Sequence, residues 1–384
     1  MNANKNSVGA RARFSRQLAL TQIGEAGQQR LGAANALLIG CGALGCALAE
    51  TLARAGVGAL TILDRDIVDE SNLHRQTLFS TSDARDALPK AVAAQRRLRD
   101  IAPGTQVEAL VTDLTPDRAR AIAKTRFAFD VILDATDNFE TRYLLNDLAV
   151  ASSAPLVYAG VVQTHGVVMP ILPTTPRPRP PTAQLHDQAA PAQDATNTPC
   201  LRCIFPDAPP PGSTPTCETA GVLPSAVQVI AGLQATEAFR IVLQDPSMHA
   251  PALTSVDVWT GAFTRIRVER DPACPCCCDR RFVYLDAHAT QRVTTLCGRN
   301  SVQITPSNCA SDARSIDLRK LADRLAPLGA FRVNEYALRG ALLNETGDQN
   351  TPVEITVFAD GRTIVSGVAD PTRARAIHAR CIGA

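Results

Sequence analysis

The stretch GCGALG, residues 40–45, constrains this chain more than any other. An apolar run, Ala36-Leu37-Leu38-Ile39, leads into it and CALAETLARAG follows. The order is strand, tight glycine turn, helix. Gly40 permits the turn, Gly42 lets backbone approach a phosphate, and Gly45 lets the helix lie close to the strand. The helix start offers free N–H groups and positive partial charge to an anion. Asp64 ends the next apolar strand, ALTILD, where a carboxylate can accept hydrogen bonds from ribose hydroxyls. This combination identifies a nucleotide, not the chemistry done with it.

The surrounding pattern predicts the scaffold. A first helix covers 15–33. Strands at 36–40, 59–64, QVEALVTDL and 130–136 alternate with helices after the glycines, at PKAVAAQRRLRDIA with Pro89 in its first position, and at 139–151. PLVYAGV and GVVMPIL add two strands. Such alternation predicts an α/β fold with a Rossmann-like doubly wound sheet. Two Pro-rich segments, 173–199 and 206–216, read as mobile connections. A long helix follows over roughly 223–244, then a β-hairpin turning near Gly261. The first unit is therefore placed at 1–279 and a small α+β unit at 281–384, for which the sequence suggests no chemistry. A net charge of +2 gives no basic surface for nucleic acid. No run of about 18 apolar residues and no apolar leader are seen, so no membrane partner is expected and the cytoplasm is the expected location.

The segment after Asp64 reads DRDIVDESNLHRQTLF. A dehydrogenase needs only a carboxylate here. This chain adds Asn72, Arg75 and Gln76 in quick succession, then Lys90. Two cations and two amides beside a glycine loop suit a triphosphate, whose departing pyrophosphate they can stabilise. Further on, DATDNFETR places Asp134, Asp137 and Asn138 at the carboxyl edge of the sheet, where open α/β folds bind ligands. Asp137 is a candidate Mg²⁺ ligand; alternatively it caps the next helix.

Twelve cysteines are many, and their clustering decides their reading. Cys200 and Cys203 form one C-x-x-C; Cys274, Cys276, Cys277 and Cys278 crowd a second site. Paired C-x-x-C is a zinc-knuckle spacing typical of reducing compartments. Cys274 and Cys277 preserve the spacing, with Cys276 or Cys278 as alternatives to Cys277. Cys41, Cys46, Cys297, Cys309 and Cys381 read as packing or incidental thiols.

The motifs RFSRQ, GEAGQQRL, GCGALG, LDRDIVDESNLHRQ, Pro89-Lys90, LDATDN, the C-x-x-C pairs and TCETAGV, in this order over 13–279, resemble the ThiF/MoeB/HesA family, prokaryotic relatives of ubiquitin-activating enzymes. Ala43 departs from the family pattern, which usually has a further glycine there. The resemblance implies ATP-dependent adenylation of the C-terminal glycine of a ubiquitin-like sulfur carrier protein ending in Gly-Gly, for molybdopterin or thiazole synthesis. It implies that Gly42 faces the ATP phosphates and Asp64 the ribose. Asn72, Arg75, Gln76 and Lys90 would bind phosphates, and Asp137 would bind Mg²⁺ with Asn138 beside it. Arg13 would enter the site from the other subunit of a homodimer. Cys200, Cys203, Cys274 and Cys277 would hold Zn²⁺. Cys217 would sit on a crossover loop and take part in sulfur chemistry, with a cysteine desulfurase or rhodanese as donor. No rhodanese active-site loop is visible in the tail. The rival readings are an NAD-dependent oxidoreductase and a non-catalytic partner subunit of an activating enzyme.

Overall fold

A computed structural model describes residues 12–124, 129–172, 198–209, 219–245, 248, 252–287, 292–296, 300–305, 316–348 and 350–382. Cys217, Cys297 and Cys309, residues 173–197 and residues 210–216 lie outside them, so the expectations placed there have no structural counterpart.

The first sheet is built around β1 (Asn35–Ile39), the strand that feeds the glycine turn. Leu37, Leu38 and Ile39 are buried, as a strand covered on both faces requires. It pairs in parallel with β2 (Ala59–Leu63) on one side and β4 (Val131–Asp134) on the other. β3 (Gln106–Leu110) lies outside β2, and β5 (Leu156–Val162) outside β4, both parallel. Antiparallel β6 (His165–Ile171), β7 (Ala252–Asp257) and β8 (Ala262–Arg267) extend the sheet in the order β3-β2-β1-β4-β5-β6-β7-β8. The chain leaves β1 in one direction and returns through β4 in the other. The ends of β1 and β4 are thus the switch point at which such sheets bind ligands. The β7–β8 hairpin turns at Gly261, whose φ of +72° suits glycine.

The helices are α1 (Gly24–Ala33), α2 (Ala43–Arg54), α3 (Lys90–Ile101), α4 (Pro116–Lys124), α5 (Phe139–Ser152) and α6 (Pro224–Leu243) in this unit. The expected single helix over 15–33 is two pieces, Ser15–Leu18 and α1. The break covers residues 19–23, and Gly24 at the start of α1 has φ +56°, which does not continue a right-handed helix from the first piece. Pro89 caps α3 from just outside it. α6 is long and apolar enough to cross a membrane by length and composition, although polar residues interrupt its apolar run. It packs on α2, β5 and β6 instead. Its Gln234, fully buried, donates through Nε2 to the carbonyls of Asp134 (2.8 Å) and Val157 (3.0 Å).

The second sheet is antiparallel: β9 (Arg292–Leu296), β10 (Ser301–Thr305), β11 (Gly329–Val333), β12 (Ala337–Thr346), β13 (Pro352–Phe358) and β14 (Thr363–Ser366), in the order β11-β12-β13-β14-β10-β9. α7 (Leu318–Leu325) and α8 (Pro371–Cys381) cover it. Its own core includes Val302, Leu321, Leu338, Val353, Ile355, Val365 and Ile377. Residues 282–285 belong to the first unit instead. Leu285 is in its core, and the Tyr284 N–H donates to Asp147 Oδ2 at 2.9 Å.

Candidate nucleotide site and cysteine centre

Two of the three loop glycines are required by their neighbours. Gly40 has φ +90°, and a Cβ there would meet the Ala135 carbonyl oxygen at 2.6 Å. A Cβ at Gly45 would meet the Gly40 carbonyl oxygen at 2.2 Å. Gly42 differs. Its φ of −80° is open to any residue, and a Cβ there would meet nothing closer than Gln76 Nε2, at 4.0 Å. Among the described residues no atom explains the glycine, and the space above it is bounded by Gln76.

Asp64 is buried at the end of β2. Its Oδ2 accepts the Cys41 N–H (2.6 Å) and its Oδ1 the Asp66 N–H (2.7 Å). It therefore braces the glycine turn, and each oxygen retains a second lone pair for a ligand. Burial pushes its pKa up, against the pull of nearby Lys90. Lys90 is far away in sequence but adjacent in space. Segment 66–68 runs antiparallel to 88–90, with an Ile67–Pro89 bridge and a Lys90 N–H to Asp66 carbonyl bond of 2.9 Å. Lys90 Nζ, almost wholly buried, meets Asp66 Oδ2 at 2.8 Å. Arg65 Nη1 meets Asp113 Oδ1 at 3.0 Å, and its Nε lies 3.7 Å from Asp66. Burial would weaken its hold on its proton, but the carboxylates of Asp113, Asp66 and Asp137 outweigh this and raise its pKa. Sequence reasoning missed Arg65 and Asp66; the Asp-Arg-Asp tripeptide closing β2 was the available signal.

Asn72 and Gln76 are buried, and among the described residues Asn72 Oδ1 and Gln76 Oε1 have no hydrogen-bond partner. Orphaned buried polar atoms are costly unless a ligand or water satisfies them. Arg75 is half-buried, and its Nη1 donates to the Ser71 carbonyl at 3.1 Å. Across the switch point, Asp134 is buried and accepts Thr136 N–H (2.9 Å) and Oγ1–H (2.7 Å), a structural role. The helix cap is Asn138 and not Asp137: its Oδ1 accepts the Thr141 N–H at 2.9 Å. Asp137 is left exposed at the sheet edge. Arg142, also missed, donates to the Thr136 carbonyl at 2.8 Å and stacks on Phe139 and Tyr158. Arg13 does not join this group within the chain; its Nη2 donates to the Ile101 carbonyl (2.6 Å), at the opposite end of α3 from Lys90.

The cysteines converge. Sγ atoms of Cys200, Cys203, Cys274 and Cys277 all lie within 4.8 Å of one another. Cys200–Cys274 is 3.6 Å, Cys203–Cys277 3.5 Å and Cys200–Cys203 4.0 Å. A tetrahedral zinc with Zn–S bonds of about 2.3 Å needs sulfurs roughly 3.8 Å apart, so the set fits the ion. Cys276 and Cys278 fall outside the four-sulfur group, although Cys276 adjoins Cys200. Cys276 Sγ donates to Asp147 Oδ1 (3.3 Å) and accepts from Asn146 Nδ2 (3.2 Å); Cys278 Sγ donates to the Asp271 carbonyl at 3.2 Å. Asn146 Oδ1 also accepts the Leu201 N–H at 2.8 Å, so α5 ties both halves of the knuckle together.

The ThiF family model matches residues 14–276. This chain belongs to the ThiF family. It is similar to the sulfur carrier protein ThiS adenylyltransferase of Bacillus subtilis (strain 168), 36% identical over 373 residues, covering 97% of this chain and 99% of the relative. It is also similar to the sulfur carrier protein adenylyltransferase of Thermus thermophilus, 38% identical over 267 residues, or 70% of this chain and 90% of that one. Among solved structures, E. coli MccB with ATP superposes with a TM-score of 0.51 at 18% identity, over 65% of this chain and 68% of that one, a likeness of fold.

Proposed function

We propose that this ThiF-family chain is an adenylyltransferase that uses ATP to activate the C-terminal glycine carboxylate of a ubiquitin-like sulfur carrier protein. The observation that carries the reading is Gly42. It is a glycine without a steric reason among the described residues, 4.0 Å from the amide of Gln76, whose Oε1 is itself orphaned there, and it follows Cys41, whose N–H the Asp64 carboxylate holds. A phosphate approaching the backbone supplies the missing reason. Both relatives are named as sulfur carrier protein adenylyltransferases, which supports this reading.

The carrier carboxylate is already ionised at neutral pH, so no general base is needed. It attacks the α-phosphorus of ATP in line, giving acyl-AMP and pyrophosphate. Asp64 holds the ribose, while Arg75 and Lys90 neutralise charge on the departing pyrophosphate. Gln76 and Asn72 present amides to phosphate or ribose, with Asn138 fixing the adjoining helix start. Asp137 would hold Mg²⁺ together with phosphate oxygens, and the ion would supply charge neutralisation there. The four-cysteine set would hold Zn²⁺ with no open position, a structural role. The enzyme acts in the cytoplasm as a homodimer, Arg13 reaching the other subunit's nucleotide. The acyl-adenylate is then consumed by a sulfur donor, with Cys217 as the candidate thiol.

ATP–pyrophosphate exchange with purified protein, Mg²⁺ and carriers ending in Gly-Gly tests this reading. Exchange is expected to require a carrier and to vanish when its last glycine is removed. Exchange indifferent to that glycine removes the reading. The glycine loop gives a second check, by melting curves and ATP titration. Gly45→Ala should lower stability by about 1–3 kcal/mol through overpacking. Gly42→Ala should melt like the parent but bind ATP at least roughly tenfold more weakly, a loss of about 1.4 kcal/mol.

A further inference from the structure

Besides the Arg96–Glu335 ion pair on α3, the C-terminal sheet meets loops of the first unit that carry or adjoin residues of the site above. At the loop after β2, Arg339 Nη2 lies 3.4 Å from Asp69 Oδ2. Asp69 caps the turn that presents Asn72, accepting the Ser71 N–H at 3.0 Å. Before Lys90, Asn334 Nδ2 donates to the Asp86 carbonyl at 2.9 Å. After β3, Gln303 Nε2 donates to Asp113, the residue that holds Arg65 beside Asp66.

Arg362 joins these contacts. It sits in the β13–β14 turn, where an arginine ordinarily faces water, yet it is only 2% exposed. Its Nε meets Asp360 Oδ2 at 2.6 Å and its guanidinium lies over Phe358, 4.5 Å from the ring centroid. The rest of the fork leaves its own sheet. Nη2 donates to the Val111 carbonyl at 3.0 Å, and Nη1 lies 3.5 Å from the carbonyl of Arg65, the residue after Asp64. Ala337, Phe358 and Ile364 pack with Ile67 and Val111 around it. Burying a guanidinium is expensive unless its donors are matched. Here they are matched by two backbone carbonyls that fix the loops on either side of the ribose-binding carboxylate.

We propose that Arg362 is a positioning residue for adenylation: through it the C-terminal unit holds the loops bearing Asp64, Asp66 and Lys90 in their ATP-binding arrangement. This rests on the nucleotide site as assigned above. Coupling of this kind is reciprocal, so ATP must also steady the C-terminal unit.

Arg362→Met should raise the KM for ATP about 2- to 30-fold in the exchange assay, with the KM for carrier unchanged. Arg362→Lys should recover part of the loss. An unchanged KM for ATP alongside a lowered melting temperature would make the residue a structural staple only and overturn the proposal. If Arg362→Met does not fold, hydrogen exchange on the full-length parent decides. Mg²⁺-ATP is expected to slow exchange at the Phe358 and Arg362 amides, and no slowing overturns the coupling. Arg75→Ala in the same assay separates the two readings. An inactive Arg75→Ala beside a silent Arg362→Met removes the positioning role alone. A fully active Arg75→Ala removes the site and this proposal with it.

Discussion

Arg75→Ala is expected to abolish acyl-adenylate formation, by about 10³-fold or more, while the protein still folds. The rate loss follows from the reaction. Pyrophosphate leaves with charge that nothing but cations and N–H groups can neutralise, and a guanidinium fork binds two phosphate oxygens at once. The intact fold follows from the geometry. Arg75 is half-buried, and among the described residues its Nη1 bonds the Ser71 carbonyl at 3.1 Å and meets the His74 ring at 3.3 Å. Lys90 is a poorer test because it is buried against Asp66, and its loss would remove the shortest ion pair of that carboxylate and disturb the local structure as well. Asp137→Ala should behave like Arg75→Ala, since Asp137 is exposed and caps nothing. Single-turnover detection of acyl-AMP with radiolabelled ATP checks both; parental yield in either variant refutes the assignment.

Removing the metal should have the second-largest effect. Four thiolates around one Zn²⁺ contribute binding free energy on the order of 10 kcal/mol in small zinc domains, and binding is linked to folding. Here the four sulfurs join residues 200–203 to 274–277. Elemental analysis is expected to find one zinc per chain, and Cys277→Ser to lose it and melt at lower temperature. Cys278→Ala should keep the ion. Cys276→Ala should keep it too but lose stability, because Asp147 would lose a buried donor. Zinc retained in Cys277→Ser but lost in Cys276→Ala would reverse the ligand assignment.

Much of this was readable in the sequence because it is encoded locally. Strand, glycine turn and helix are neighbours along the chain, and so are Asn72, Arg75 and Gln76. Their grouping needs no long-range folding to be recognised. Lys90 was found for the same reason, as the residue after Pro89, but its partner Asp66 was not. That pairing depends on the antiparallel bridge at Ile67 and Pro89, which spacing does not announce. The knuckle could be counted but not resolved. Cys276 and Cys277 are adjacent, and which of them faces the metal depends on the turn's backbone and on Asn146 and Asp147 in a distant helix. Arg362 was invisible. An Asp-Gly-Arg turn reads as solvated surface, and its burial arises only when two units meet.

The contacts of Arg362 also set an order in time. A chain leaves the ribosome from its N-terminus, and 297 residues separate Arg65 from the arginine that reaches its carbonyl. At about 5–20 residues per second, that interval is roughly 15 to 60 seconds. Throughout it, Ile67 and Val111 lack the covering side chains of Phe358 and Ile364. The thiols of Cys200 and Cys203 wait as well, for partners 74 residues downstream. The nascent enzyme thus carries half of its four-cysteine set until residue 277 is made, and an open apolar seam until its last quarter is made. Truncated products of interrupted synthesis would expose both, which makes them natural substrates for chaperones and proteases.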